Sequence, residues 1–144
     1  MTALPAAIDG LVALLRSTPA LAGVRIDDGP WVDEPSEHDV IVIGWLPDDT
    51  SMVTWTEDLA GLGSTGETFT IQGLVSSFRG DSSLKAVRDI ADGLLEIVRA
   101  AVHANQTLGG AVNRARIAAQ TMTPIKDAKG TAVEIDFIVH LQVY

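Results

Sequence analysis

The stretch Thr131-Ala132-Val133-Glu134-Ile135-Asp136-Phe137-Ile138-Val139-His140-Leu141-Gln142-Val143 decides how this chain folds. Thr131, Val133, Ile135, Phe137, Val139, Leu141 and Val143 take alternate positions, while Glu134, Asp136, His140 and Gln142 lie between them. Successive side chains of a strand point to opposite faces, so the pattern is that of a long strand with one buried and one wet face. Ile138 is the apolar exception on the wet side. A strand this long and one-sided requires other strands beside it and an apolar layer on top of it.

The rest of the chain supplies both. From about Ser83 to Ala104, Leu84, Val87, Ala91, Leu94, Leu95, Val98 and Val102 recur at helical spacing, with Lys85, Arg88, Asp89, Asp92, Glu96 and Arg99 on the opposite side. Asp81, Ser82 or Ser83 can cap this helix, and Glu96 with Arg99 forms a candidate i,i+3 pair. A first helix is expected over residues 4–17, from the stripe Leu4, Ile8, Leu11, Val12 and Leu15. Thr2 is its candidate cap, Pro5 lies in its first turn, and Thr18-Pro19 ends it. Strands are expected at Val24–Asp27, at Val40–Leu46, at Ser51–Glu57 and from Glu67 to Arg79. The near-continuous apolar run from Val40 suggests a strand covered on both faces. Gly73 interrupts the 67–79 pattern and marks a bulge or a close backbone approach. Residues 111–123 read as a further strand, with Ala115, Ile117, Ala119 and Thr121 on one face and Arg114, Arg116 and Gln120 on the other. Pro124 and the run from Lys126 to Gly130 read as a solvated hairpin link.

The order helix, strands, helix, two strands predicts an α+β fold. A mixed or antiparallel sheet of about four to six strands would carry both helices on one face. A chain of 144 residues is the size of one domain, spanning 1–144.

Composition narrows the function. The chain has 19 acidic against 10 basic side chains, a net charge of −9, and this opposes tight binding to nucleic acid or to an anionic membrane. It does not oppose the passage of DNA through an acidic channel, whose wall repels it. No stretch approaches the roughly 20 apolar residues of a membrane span, and no basic region precedes an early apolar run as in a secretory signal. The absence of cysteine removes thiolate nucleophiles, disulfides and Cys-ligated zinc together, and fits an intracellular place of assembly.

The residues that carry chemistry elsewhere are sparse and scattered here. His38 and Asp39 adjoin Asp33, Glu34 and Glu37, but without metal-site spacing, so a solvated acidic loop is expected. Ser64, Ser76 and Ser77 lack a nucleophile elbow, and nothing pairs one of them with His103 or His140. Gly61, Gly63 and Gly66 match G-x-G-x-x-G by letter, yet lead into a strand and not into the helix a dinucleotide site needs. No catalytic residue, cofactor or metal is expected, and the chain is read as a non-enzyme. Surface residues are the candidates instead. Trp31 stands in an acidic loop, as a lid on the core or a subunit contact, and Trp45 is expected in the core. Gly63 lies in a glycine-rich loop at 58–66 that can fold against a neighbour. Arg114 and Arg116 share one strand face and can meet Glu134 and Asp136 on the adjacent strand, within a subunit or across an interface. Glu134 and Asp136 can equally line an acidic lumen.

Several stretches occur in a telling order: an amphipathic N-terminal helix, then Leu21-Ala22-Gly23-Val24-Arg25-Ile26-Asp27-Asp28-Gly29-Pro30, then Asp39-Val40-Ile41-Val42-Ile43-Gly44-Trp45. Glu67-Thr68-Phe69-Thr70-Ile71 follows, then a helix ending near Thr107-Leu108-Gly109-Gly110, and a closing strand pair. In this order, spacing and length the chain resembles the tail terminator proteins of long-tailed, siphovirus-like bacteriophages, in particular the short ones of phages with actinobacterial hosts. The resemblance implies a structural virion protein, assembled in the host cytoplasm and located in the tail or neck. It implies a hexameric ring that caps the tail tube and halts its growth. Its partners would be the major tail tube protein and the head–tail connector, with genomic DNA passing through the lumen unbound. The loops at 30–38 and 58–66 and the hairpin at 124–130 would be the contact elements. A connector or stopper of the same neck, and a small ligand-binding protein or enzyme, are the alternative readings.

Overall fold

The computed structural model describes residues 4–29, 39–44, 53–59, 65–80, 83–127 and 129–143. Helix α1 spans Leu4–Arg16 and ends before Pro19, with the Thr18 hydroxyl donating back to the Leu14 carbonyl at 2.8 Å. A short 3-10 turn over Pro19–Leu21 leads into β1, Arg25–Asp28. Then come β2 (Asp39–Ile43), β3 (Val53–Leu59), β4 (Thr65–Arg79), helix α2 (Leu84–Ala104), β5 (Arg114–Asp127) and β6 (Gly130–Val143). Helix α2 starts where Ser83 accepts a hydrogen bond from the Ala86 N–H at 3.2 Å, which selects the third of the expected caps.

The strands form one six-stranded sheet in the order β1-β2-β4-β6-β5, with β3 paired to the N-terminal half of β4. Among the described strands only β1 and β2 run parallel, so the sheet is mixed. The α+β expectation, with two helices on one face, holds. The buried stripe of α1 is Ala7, Leu11, Val12 and Leu15, and that of α2 is Val87, Ala91, Leu94, Leu95, Val98 and Val102. These stripes meet Ile41, Ile43, Ile71, Val75, Ala115, Val133, Ile135, Phe137, Val139 and Leu141 in one core. Each large aliphatic side chain buried there contributes about 1.5–3 kcal/mol, which is why the helices choose this face.

Gly73 does mark a close approach. It pairs with Phe137, and a Cβ at this position would run into the Phe137 ring, which lies across the glycine with no exposure to solvent. The register of β4 with β6 stays unbroken through this pair, so there is no bulge at Gly73.

The bulge is in β5. Pairing with β6 shifts between Ala119 and Thr121, and the extra residue at this step reverses the alternation beyond it. Thr121, expected on the face of Ala119, instead lies beside Asp136 on the face away from the helices, and Met122 takes the helix side opposite Ile135. The expected hairpin loop at 124–130 is also corrected: β5 runs through Pro124 to Asp127, and two residues join it to β6. A proline has no N–H to donate, but β5 is the last strand of the sheet, where that donor is dispensable.

Candidate functional site

The face of the sheet away from the helices is where the charged candidates gather, and the register orders them. Across β4, β6 and β5 the rows read Thr68–Gln142–Arg114, then Thr70–His140–Arg116, then Gln72–Ile138–Ala118. They continue as Leu74–Asp136–Thr121, Ser76–Glu134–Thr123 and Phe78–Ala132–Ile125. Basic residues therefore occupy one end of this open face and acidic residues the middle. Arg114 and Arg116 do not meet Glu134 and Asp136 within the subunit, as the sequence allowed. They stand opposite Gln142 and His140, and Asp136 lies four positions further along β6 from His140, roughly 14 Å at strand spacing.

At the basic end, Thr68, Arg114, Arg116, His140 and Gln142 line a shallow open cleft of about 270 Å³. The arginines and the histidine are exposed. Thr68 and Gln142 form the floor from adjacent strands, so three strands contribute side chains. In a chain of net charge −9, this cleft has no acidic residue among the described residues that line it. Sequence reading found the two arginines but not Thr68, His140 or Gln142. Alternation puts each on a face, but only the β4–β6–β5 register makes them neighbours.

The middle of the open face is less wet than its sequence suggests. Val40, Val42 and Leu74 form a second buried cluster there, on the side opposite the helices. That accounts for the continuous apolar run of β2: Ile41 and Ile43 enter the main core, and Val40 and Val42 this smaller one. Asp136 is the row partner of Leu74, and burial holds its carboxyl above the usual carboxylate range.

Two other groups considered for chemistry have structural partners. The Arg79 guanidinium donates to both oxygens of the Asp39 carboxylate, at 3.0 and 3.1 Å, and the Ser77 hydroxyl donates to Oδ1 at 2.8 Å. Asp39 and Ser77 thus tie β2 to β4 at the edge of the core. Gly66 sits in β4 opposite Asp58, so the glycine-rich segment does lead into a strand. Trp31, Trp45 and Gly63, with the 30–38 loop and the centre of the 58–66 loop, lie outside the described residues. Among the described residues the large exposed apolar side chains are Met122 and Ile125, about two-fifths exposed. They stand on opposite faces of β5, beyond the bulge.

No protein-family model and no curated protein matches the sequence. Among solved structures, the chain is similar to one in the virion of a native gene transfer agent particle. Identity is 15%, the match covers 94% of this chain and 92% of that chain, and the TM-score is 0.47. No residue role is transferred at that level of likeness.

Proposed function

We propose that this chain is a structural protein of a phage-like virion, and within it the tail terminator: a subunit whose ring caps the tail tube and receives the head connector. The observation that carries the reading is the outer strand β5. It is 14 residues long and is the last strand of the sheet, and it leaves Met122 and Ile125 exposed on its two faces. A monomer gains nothing from a long outer strand with apolar side chains on both sides, because such an edge invites pairing with other chains. A closed ring uses that edge once per subunit and leaves none free. The ordered resemblance along the sequence supports the same reading, and so does a charge distribution with basic and acidic groups on one face.

The test is mass in solution by light scattering over a range of concentration, with and without purified tail tubes. A closed ring, or assembly only at tube ends, is the expected result, and Met122→Glu with Ile125→Glu should abolish it while leaving a folded monomer. A protein that binds connector complexes but no tube end would instead be a connector or stopper of the neck. A monomer indifferent to both would overturn the proposal.

A further inference from the structure

We propose that the cleft lined by Thr68, Arg114, Arg116, His140 and Gln142 is a binding site for a phosphate group. This inference is independent of the ring reading and holds or fails for the isolated subunit. Three features of the cleft point to it. First, its sign is inverted against the molecule: two guanidinium groups and an imidazole with no carboxylate among the described lining residues, in a chain whose acids outnumber its bases 19 to 10. Two guanidinium charges held on one strand face, with no carboxylate among the described residues lining the cleft, raise the potential for an anion locally.

Second, the donors converge from three strands. Arg114 and Arg116 come from β5, His140 and Gln142 from β6, and Thr68 from β4, in two successive rows of the sheet. A carboxylate is planar, and its two oxygens are satisfied by a single guanidinium fork. Two forks, an imidazole N–H, a hydroxyl and an amide offer donors from several directions, which suits the tetrahedral arrangement of phosphate oxygens better. Third, the cleft has room. Its volume of about 270 Å³ accepts a phosphate with bridging waters, each of which takes about 30 Å³.

The phosphate can be free or part of a nucleic acid backbone, and the experiment separates the two. Inorganic phosphate is titrated into the isotope-labelled protein and followed by amide chemical shifts, alongside calorimetry. Short duplex DNA is titrated in a second arm at several salt concentrations. Saturable shifts confined to residues around 68, 114–116 and 140–142 are expected, with a dissociation constant on the order of 1 mM or tighter. Arg114→Gln and Arg116→Gln should each weaken binding roughly tenfold, the loss of one charge-assisted contact. Arg88→Gln, at an exposed position on α2, should leave it unchanged. Both cleft arginines are exposed, so their variants should fold, and the shifts in the wild-type protein locate the site without any variant. Arginine-dependent binding of inorganic phosphate identifies a free phosphate ligand. Binding of duplex DNA alone, arginine-dependent and falling with salt, identifies the backbone as the source. Absence of binding in both arms, or binding indifferent to both arginine substitutions, would overturn the proposal.

Discussion

Strand β6 has two faces that do different work. On the helix side Val133, Ile135, Phe137, Val139 and Leu141 are at most 2% exposed. On the other side Glu134, Asp136 and Ile138 are half-buried and His140 is exposed. The same backbone thus supports a closed core on one side and a graded surface on the other, basic at one end and partly desolvated in the middle. The lesson is that core and charged surface are separated by face and not by segment. Substitutions two positions apart should keep to one effect, and substitutions one position apart should exchange it.

The largest effect is expected from Phe137→Ala, which removes a fully buried ring over a glycine that cannot fill the gap. It should destabilise the fold by about 3–5 kcal/mol in denaturant unfolding, whereas Ile138→Ala, its neighbour on the other face, should cost far less. Equal costs would break the separation by face. Gly73→Ala comes next, at about 1–3 kcal/mol, because its methyl group and the Phe137 ring claim the same space. Combining Gly73→Ala with Phe137→Leu should cost less than the sum of the two, since each relieves the other. Strict additivity would show that the ring does not press on the glycine.

Arg79→Ala should cost about 1–2 kcal/mol, as the bidentate pair with Asp39 is only partly screened by solvent. The smallest effect tests the open face. Asp136 has a folded-state pKa above its ordinary value, so its charged form opposes folding. The protein is favoured below the unfolded-state pKa and loses that advantage as pH rises through the folded one. Asp136→Asn should therefore raise the melting temperature slightly at neutral pH, and the gain should vanish on acidification below the ordinary carboxylate range. A gain that persists in acid would assign the effect to packing and not to desolvation.

Much of the core was legible beforehand because alternation and helical spacing are properties of consecutive residues. The stripe of α2 and the apolar side of β6 needed no partner to be recognised. The open-face site was legible only in part. Arg114 and Arg116 share a face by spacing alone, yet their neighbours depend on which β6 residue each one meets. The β5 bulge further uncoupled the two ends of that strand, so Thr121 and Met122 changed sides against simple alternation. Pro124 reads in the sequence as part of a hairpin link, and only its place in an outer strand, where the missing N–H is dispensable, lets β5 run through it.

The sequence by itself determined the fold class, the two helices with their buried sides, the long closing strand and the acidic balance, and it narrowed Gly73 to a bulge or a close approach. These follow from local periodicity, composition and the size of side chains. Only the tertiary structure decided that the arginines face Gln142 and His140 and not the two acids, that Asp39 is held by Arg79, and that Val40, Val42 and Leu74 make a second small core. Those outcomes depend on strand order and register. A shift of one residue in register turns every side chain to the other face, and no pattern within a single strand records which partner it will meet.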